Sequence, residues 1–406
     1  MSALIREKLA QAAGLVAASG VDAWLTFDRE TADGGDPVLP LILEGGLTWQ
    51  SALLVTRTGR RIALVGSYDA DPLRACGDWD EVLPYVEGIR EPLLRVLDEA
   101  TRGRLERPRL AVNFSTDDVK ADGLSHGMFL LLEGMLRGTR FEGTLESAQE
   151  IVTALRSRKT PAEIARMRGA IRETERIFAE VPALAARGGS ERELFEAIQA
   201  RVDSRGLGYG WDRAGNPIVN SGPHSMLGHG VPSAEIRIEP GHVLHLDLGV
   251  ISAGYSSDIQ RCWYVAAPGE TDIPPEVTRA LEAVTGAITA GSDALRPGVP
   301  GWRVDAAARD FLLAQGYPDF QHAFGHQVGR AAHDGGAILG PHWERYGRTP
   351  HLPAEPGHVY TLELGVVVPG RGYLGVEEMV RVTDTGIEWL TERQLELPVI
   401  VSEWQR

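Results

Sequence analysis

Two stretches of this 406-residue chain are nearly the same: residues 239–250 read EPGHVLHLDLGV, and residues 355–366 read EPGHVYTLELGV. Nine of the twelve letters are identical, and Asp247 of the first copy is matched by Glu363 of the second, so a carboxylate is kept. The copies are offset by 116 residues and flank a helical region. The repeat therefore predicts a duplicated half-domain with pseudo-twofold symmetry, with an acid inside an apolar strand of each half.

Each copy predicts a turn followed by a β-strand. In the triplet Glu-Pro-Gly, proline suits the second position of a turn and glycine supplies the positive φ of the third. Side chains alternate between the two faces of a strand, so Asp247 shares a face with His245, and Glu363 shares a face with Thr361. The leucines between them point to the opposite face. One face of each apolar strand would thus carry an ionisable group.

A second acid follows each strand after a glycine-containing bend. Asp258 lies eleven residues after Asp247, and Glu377 lies fourteen residues after Glu363. If each strand turns back as a hairpin, one register places Asp247 opposite Asp258 and Glu363 opposite Glu377, although other registers are compatible with the same residues. In that register the Cβ atoms of each pair are ~5 Å apart, and the two carboxylates repel each other.

The repulsion between the facing carboxylates must be offset, either by a compensating charge or by exposure to solvent. A shared proton would serve one pair, and exposure on an edge hairpin would serve an isolated acid. For four acids brought together by pseudo-symmetry, divalent cations are the better explanation. Histidine is the commonest nitrogen ligand. The segment HAFGHQVGRAAHDGG (322–336), between the two copies, carries His322, His326 and His333, and Gly325 beside His326 allows close backbone approach.

The chain before the repeat alternates helical and strand patterns. Helical spacing covers residues 3–18 and a segment near 90–101. Short runs of apolar residues predict strands at residues 21–27, 51–56, 61–66 and 110–114. This part of the chain is therefore predicted to form an α/β domain.

A new helix begins after this domain, in the stretch TPAEIARMRGA (160–170). Thr160 suits the N-cap and Pro161 suits the first helical position. We therefore expect a smaller α/β domain at residues 1–157 and a second domain at residues 158–406.

The composition is that of an ordinary globular protein. The net charge is −15, which would repel phosphate backbones, so nucleic acid is not an expected partner. No run of eighteen apolar residues occurs, so neither a transmembrane helix nor a membrane partner is expected. The two cysteines, Cys76 and Cys262, are far apart, which favours a reducing cytoplasm over a disulfide framework.

The order and spacing of these acids and histidines resemble metallopeptidase family M24, which has the pita-bread fold and includes methionine aminopeptidase, aminopeptidase P and prolidase, with creatinase as a metal-free relative. The metal ligands of that family occur in the order Asp, Asp, His, Glu, Glu. This chain matches that order with Asp247, Asp258, His326, Glu363 and Glu377. The letters Ile-Gln-Arg after Asp258 resemble the strand of the family that reads D-x-x-R, and FGHQVG resembles its GHG-type segment.

The resemblance covers essentially the whole chain and implies its architecture. The fold class is α+β, with a pita-bread catalytic domain of pseudo-twofold duplicated halves. A smaller α/β N-terminal domain precedes it, as in the branch of prolidase, aminopeptidase P and creatinase. A homodimer is also implied, in which the N-terminal domain of one chain would close off the far end of the substrate bound by the other.

The resemblance also implies catalytic roles. Glu363 would act as the general base and then as the proton donor to the leaving amine, while also binding metal. His229, in the segment NSGPHSMLGHG, and His333 would hold the scissile carbonyl or stabilise the tetrahedral intermediate. His322 would support them from close by.

This chain departs from the family where the substrate is held. Relatives often keep an arginine two residues before the last metal glutamate, and this chain has Gly375 there. The family's glutamate after the second histidine is Asp334. Arg371 and Tyr373, in the adjacent loop, are the substitutes that we consider for binding the substrate.

Four carboxylates and one imidazole, without a thiolate, suit two divalent ions of Mn, Co or Zn. The substrate implied by the resemblance is a Xaa-Pro dipeptide, as for prolidase, or a longer proline-containing peptide, as for aminopeptidase P; we favour the dipeptidase. A creatinase-like C–N hydrolase and a non-catalytic binding protein are alternatives on the same fold. Both are disfavoured because the five ligands are intact.

Overall fold

The computed structural model describes residues 3–102, 107–228, 230–267, 269–270, 272–401 and 403. The chain divides into two compact units, Met1–Ala162 and Glu163–Arg406. The domain division between residues 157 and 158 stays a prediction. No helix in the described ranges is long and apolar enough to cross a membrane.

The first unit is built around one mixed β-sheet. Its strands are β1 (Ala23–Asp28), β2 (Ser51–Thr56), β3 (Arg61–Gly66), β4 (Glu81–Tyr85), β5 (Leu110–Val112) and β6 (Leu145–Ser147). Its helices are α1 (Ala3–Ser19), α2 (Leu39–Ile42), α3 (Ser67–Cys76), α4 (Arg90–Ala100), α5 (His126–Leu136) and α6 (Gln149–Ser157). The strands follow the order β4-β3-β2-β1-β5-β6. The helices and strands predicted for this part of the chain are confirmed, with ends shifted by at most two residues.

Both faces of this sheet are covered by apolar side chains, which is why its central strands are buried. One cluster includes Leu9 of α1 and Trp24 of β1, and the other includes Leu25 of β1 and Leu93 of α4. Neighbouring residues of β1 thus point to opposite cores, as the alternation along a strand requires.

The second unit contains both copies of the repeat. Its helices are α7 (Pro161–Phe178), whose first two residues fall in the first unit, α8 (Val181–Ala185), α9 (Glu191–Ser204), α10 (Pro275–Ala294) and α11 (Gly301–Ala314). Its strands are β7 (Gly208–Tyr209), β8 (Ile218–Ser221), β9 (Val243–Leu248), β10 (Val250–Ser252), β11 (Tyr255–Ser256), β12 (Ile259–Ala266), β13 (Val359–Val368), β14 (Gly372–Val382), β15 (Ile387–Trp389) and β16 (Val399–Val401). Helix α7 begins at Pro161, as predicted.

Each copy of the repeat supplies one strand of an antiparallel pair. The first copy forms β9, which pairs with β12 in the sheet β16-β12-β9-β8. The second copy forms β13, which pairs with β14 in the sheet β13-β14-β15. Strand β14 packs against β12 and β9, and helix α10 packs against α11, β13 and β14. The two duplicated strand pairs are thereby held face to face.

The leucine face predicted for each copy is buried. Leu246 and Leu248 of β9 are fully buried, and Leu362 and Leu364 of β13 belong to the apolar cluster that α10 and α11 cover. This burial leaves the opposite face of each strand for the acids.

The Glu-Pro-Gly triplets form the predicted turns. Gly241 has φ of +88° and Gly357 has φ of +90°, which glycine adopts at little cost. In each turn the amide of the following histidine donates a hydrogen bond to the carbonyl of the glutamate, over 3.3 Å in the first copy and 3.1 Å in the second. The two copies therefore have the same local structure.

The predicted register is confirmed for one hairpin and wrong for the other. Glu363 lies opposite Glu377, as predicted. Asp247 lies opposite Gln260, and not opposite Asp258. Because side chains alternate with a period of two, a displacement of two residues leaves Asp258 on the same face as Gln260, diagonally across from Asp247.

The turn of the first hairpin explains this displacement. Ser252 pairs with Tyr255, so only Ala253 and Gly254 form the turn, with φ of +49° and +79°. Two-residue turns with positive φ at both positions match the twist of the flanking strands and are favoured in hairpins. The turn is therefore centred one residue later than the predicted register required.

Candidate metal centre

Four carboxylates, carried by β9, β13, β14 and the residue before β12, lie close enough to repel one another. Asp247 lies in β9, Asp258 directly before β12, Glu363 in β13 and Glu377 in β14. Ligand atoms of Asp258, His326 and Glu377 all lie within 4.8 Å of one another. Asp258 is 5% exposed and Glu377 is 1% exposed, so water screens their charges poorly.

Three carboxylates of this cluster are harder to ionise than ordinary acids when no cation is bound. Burial raises the pKa of Asp247, Asp258 and Glu377 well above their ordinary values, and the charges of the neighbouring carboxylates, including Glu363, raise them further. Within the described residues, neither Asp247 Oδ1 nor Glu377 Oε2 accepts a hydrogen bond, although both atoms are buried. Buried oxygens with unused lone pairs and a concentration of negative charge suit a divalent cation.

His326 is brought to the cluster by the backbone of its own segment. The amide of Thr361 donates to the carbonyl of His326 over 2.9 Å, and the amide of Glu363 donates to the carbonyl of Phe324 over 2.8 Å. These residues therefore run along β13. A Cβ atom at Gly325 would lie 2.0 Å from the Thr361 oxygen, so only glycine fits there. The expected close backbone approach at Gly325 is confirmed.

The imidazole of His326 faces the carboxylates. Its Nε2 lies 3.5 Å from Glu363 Oε1 and 3.7 Å from Asp258 Oδ2. Burial, followed by the neighbouring His333, lowers the pKa of His326 to about 3. The ring is therefore neutral near pH 7 and has a lone pair available for a metal ion.

Of the other three predicted histidines, the structure describes two, His333 and His322. The ring of His333 packs edge-to-face on His326, with centroids 4.2 Å apart. His322 packs on Phe320 with centroids 5.1 Å apart, and its Nδ1 lies 2.8 Å from the carbonyl oxygen of Ala323. His229 lies outside the described residues.

Arg371 forms its described side-chain contacts with residues outside the carboxylate cluster. Its guanidinium forms an ion pair with Glu276 at 3.0 Å and donates to the Gly241 carbonyl over 3.0 Å. Arg371 precedes Glu377 by six residues, which is about 20 Å along an extended strand at ~3.4 Å per residue. The structure therefore does not bring Arg371 to the cluster, but uses it to hold the turn of the first repeat copy.

Tyr373, in contrast, lies close to the cluster. Burial, followed by the charge of Glu363, raises the pKa of the Tyr373 hydroxyl far above its ordinary value. The ring packs edge-to-face on His245, with centroids 4.9 Å apart at 87°. The neutral phenol thus forms part of the wall of the site.

Two polar residues that the sequence analysis did not assign contact this group. Gln260 Nε2 donates to Glu363 Oε2 over 2.9 Å, and Gln260 Oε1 lies 3.0 Å from His245 Nε2. The alternation of side chains along a strand could have identified both residues. His245 precedes Asp247 by two residues, and Gln260 follows Asp258 by two residues. Each therefore shares a face with a metal-binding candidate.

Behind the cluster, Arg261 joins β12 to β14. It is 8% exposed, forms an ion pair with Glu378 at 2.9 Å, and donates to the carbonyl of Glu377 over 2.8 Å. A guanidinium with several acceptors in fixed positions holds the two strands in register. This contact joins β12, three residues after Asp258, to the backbone of Glu377.

Comparison with known proteins agrees with a metal-dependent hydrolase. The model of metallopeptidase family M24 matches residues 165–384, more than half of this chain. The protein named "Xaa-Pro dipeptidase" of Pyrococcus furiosus is 28% identical over 329 residues, which is 79% of this chain and 87% of that protein.

Solved structures show the same fold over nearly the whole chain. The "Xaa-Pro dipeptidase from Bacillus anthracis" has a TM-score of 0.72 at 23% identity, with 97% of this chain and 99% of that chain covered. The X-Pro aminopeptidase from Thermotoga maritima has a TM-score of 0.68 at 23% identity, with 97% and 99% covered. The expected fold class, a pita-bread unit preceded by an α/β unit, is confirmed.

Proposed function

Because this chain belongs to metallopeptidase family M24, we propose that it hydrolyses the Xaa-Pro peptide bond with two divalent metal ions, as an Xaa-Pro dipeptidase. The observation that carries this proposal is the group of buried carboxylates around His326, two of whose oxygens accept no hydrogen bond among the described residues. The name of the Pyrococcus furiosus relative supports the substrate class.

The ions would be held by Asp247, Asp258, His326, Glu363 and Glu377. When bound, they would supply a water molecule acidic enough to act as a nucleophile near neutral pH. Oxygen ligands with one neutral imidazole suit Mn, Co or Zn.

The remaining steps belong to side chains of this protein. Glu363 takes the proton of the attacking water and passes it to the leaving amine. His333, which packs on His326, and His229 hold the carbonyl oxygen of the scissile bond by hydrogen bonds that strengthen as charge develops on it. His322 supports them, and Tyr373 is our candidate for contact with the substrate. In this proposal Arg371 stabilises the fold and does not bind substrate.

A peptide panel tests the substrate class. Metal-depleted protein is reconstituted with Mn, Co or Zn and assayed on Xaa-Pro dipeptides and on longer peptides that begin with Xaa-Pro. Asp258→Asn removes one ligand charge, and we expect both metal uptake and hydrolysis to fall below detection. Asp310→Asn, at an exposed acid of α11, should leave both unchanged. Hydrolysis retained by Asp258→Asn would overturn the proposed centre.

The second candidate function is that of an Xaa-Pro aminopeptidase on longer peptides. The similarity to the X-Pro aminopeptidase structure supports this alternative, because the two activities share one fold. The same panel separates them, since a dipeptidase cleaves Xaa-Pro and not Xaa-Pro-Xaa. Creatinase-like hydrolysis and non-catalytic binding are less well supported, because the chain retains all five residues that match the ligands of the family.

We further propose a homodimer located in the cytoplasm. Sedimentation of the metal-loaded protein would test the dimer, and fractionation of the source cells would test the location. A monomer with full activity would remove the proposed role of the partner's N-terminal unit.

A further inference from the structure

Three side chains that take no part in the proposed metal ligation converge beside Glu363. They are His245 of β9, Gln260 of β12 and Tyr373 of β14. His245 is 3% exposed and Gln260 is 7% exposed. Buried polar groups are costly unless their hydrogen bonds are made, so the contacts of these residues define what they do.

Gln260 contacts Glu363 directly, and its orientation follows from that contact. A carboxylate oxygen only accepts hydrogen bonds, so the amide nitrogen of Gln260 must face Glu363 Oε2, at 2.9 Å. The amide oxygen then faces His245 Nε2, at 3.0 Å, and His245 must carry its proton on that nitrogen. The second ring nitrogen, Nδ1, lies 3.0 Å from Asn220 Oδ1. A neutral ring with its proton on Nε2 cannot also donate from Nδ1, so the hydrogen bond to Gln260 is the contact that joins the imidazole to this group.

Two glycines make room for this arrangement. Gly365 of β13 and Gly375 of β14 are paired across the hairpin. A Cβ atom at Gly375 would lie 2.6 Å from Tyr373 Cε1, 2.9 Å from Gln260 Oε1 and 3.1 Å from His245 Nε2, whereas one at Gly365 would lie 2.4 Å from the Tyr373 hydroxyl. A side chain at either position would displace the group. The glycine at 375, where relatives often have an arginine, is therefore required by its neighbours here.

The two oxygens of Glu363 consequently have different environments. Oε2 accepts the hydrogen bond of Gln260, while Oε1 is turned toward His326, at 3.5 Å from its Nε2. The donor to Oε2 is a neutral amide, which orients the carboxylate without the large loss of basicity that a guanidinium would cause. The ring of Tyr373 packs edge-to-face on His245 beside these hydrogen bonds.

We propose that Gln260, held in place by His245, is a positioning residue that presents Glu363 Oε1 to the metal ions and keeps the carboxylate oriented for proton transfer. The proposal rests on the proposed function for the proton-transfer step, but the effect on metal binding is independent of the substrate. Residues that orient metal ligands by hydrogen bonds change metal affinity or activity by roughly 10–100-fold when they are replaced.

The test compares two buried glutamines. Gln260→Met keeps the approximate shape and removes the hydrogen bond to Glu363. Gln394→Met is the matched control, because Gln394 is 8% exposed and its amide makes two hydrogen bonds, both to the backbone of Cys262. Metal-depleted protein is titrated with Co²⁺ by calorimetry, and the visible absorption spectrum of the bound Co²⁺ reports the coordination geometry.

For Gln260→Met we expect a roughly 10–100-fold weaker Co²⁺ affinity, an altered Co²⁺ spectrum, and a lower kcat with little change in KM. The control should lose stability but keep the affinity, the spectrum and kcat. His245→Phe should change the same quantities in the same direction. The double variant should be little worse than Gln260→Met alone, because the two residues act through one contact.

Wild-type Co²⁺ affinity and spectrum in Gln260→Met would overturn the positioning role. If that variant does not fold, His245→Phe, which keeps Gln260, decides the matter by the same Co²⁺ spectrum: an unchanged spectrum overturns the proposal and an altered one supports it. Failure of the wild type to cleave any Xaa-Pro peptide would overturn the proposed function alone, since the Co²⁺ measurements do not depend on that activity.

Discussion

At the scale of single residues, the metal centre is a source of instability in the metal-free protein. The pKa values of Asp247, Asp258 and Glu377 are all raised by burial and by each other's charges. Each unit by which the folded pKa exceeds the unfolded one costs about 1.4 kcal/mol of stability once the group must ionise. A divalent cation reverses this penalty, so folding and metal binding are coupled.

Glu377→Gln should stabilise the metal-free protein and abolish high-affinity metal binding. The change removes, at constant shape, a group that resists ionisation in the folded protein and ionises freely in the unfolded chain. We therefore expect the thermal midpoint of the metal-free protein to rise by a few degrees, at about 2–4 °C per kcal/mol for a unit of this size. Glu282→Gln, at an exposed acid of α10, is the control and should leave the midpoint unchanged. A lower midpoint for Glu377→Gln would contradict the assigned repulsion.

The advantage of Glu377→Gln over the wild type should grow as the pH rises. Below the ordinary glutamate value of 4.5 the carboxyl is protonated in both the folded and the unfolded wild type, so no ionisation penalty separates the two proteins. Above pH 4.5 the unfolded wild type ionises first, because the folded pKa is raised, and wild-type stability falls by up to about 1.4 kcal/mol per pH unit. Denaturant unfolding without metal, from pH 4 to pH 8, measures the difference. A difference independent of pH would show that the folded pKa is not raised.

At the scale of elements, the two repeat copies form different hairpins from similar sequences. The first closes with a two-residue turn at Ala253 and Gly254, and the second pairs Val368 with Gly372 around a three-residue loop. The carboxylates are therefore diagonal in the first pair and directly opposite in the second. Both arrangements keep the two acids of a hairpin on one face. The second register is the one in which the acids are directly opposite, and the first is displaced from it by two residues, which leaves the facing of every side chain unchanged.

Ala253→Asn should stabilise the first hairpin. Alanine at φ of +49° is strained, whereas asparagine tolerates this conformation and Asn-Gly is the preferred pair for such a turn. The side chain is exposed, so no packing is lost. We expect a gain of about 1 kcal/mol in thermal or denaturant unfolding, and a loss for Ala253→Val. Ala214→Asn, at an exposed alanine without positive φ, should give no gain. Destabilisation by Ala253→Asn would contradict this account of the turn.

At the scale of the whole molecule, all the described candidate ligands belong to the second compact unit. Asp247, Asp258, His326, Glu363 and Glu377 lie within Glu163–Arg406, and the first unit has its own sheet and its own two apolar clusters. Bound metal should therefore stabilise the second unit directly.

Removal of the metal should shift one of two unfolding transitions. Metal at 100 times its dissociation constant stabilises the binding unit by about 2.7 kcal/mol, which corresponds to about 5–10 °C for a unit of this size. Calorimetry with and without a chelator measures the shift, and limited proteolysis with mass spectrometry assigns each transition to its residues. Equal shifts of both transitions would show that the metal also stabilises the first unit.

The sequence by itself determined the features that depend on local chemistry. The Glu-Pro-Gly turns, the burial of the leucine face and the alternation that places Asp247 and Glu363 on the opposite face all follow from residues within a few positions of each other. The close backbone approach at Gly325 was also predicted from the sequence, because glycine has no Cβ atom. Together with the order of the acids, these features predicted the metal centre, and the resemblance to metallopeptidase family M24 implied the fold class.

Only the tertiary structure decided which distant groups meet. It moved the partner of Asp247 from Asp258 to Gln260, because the turn conformation sets the register. It placed Arg371 on Glu276 and brought His245 and Gln260 to Glu363. Such partners depend on how β9, β12 and β14 pack against each other, and that packing results from the burial of the whole apolar core, which no short stretch of sequence specifies.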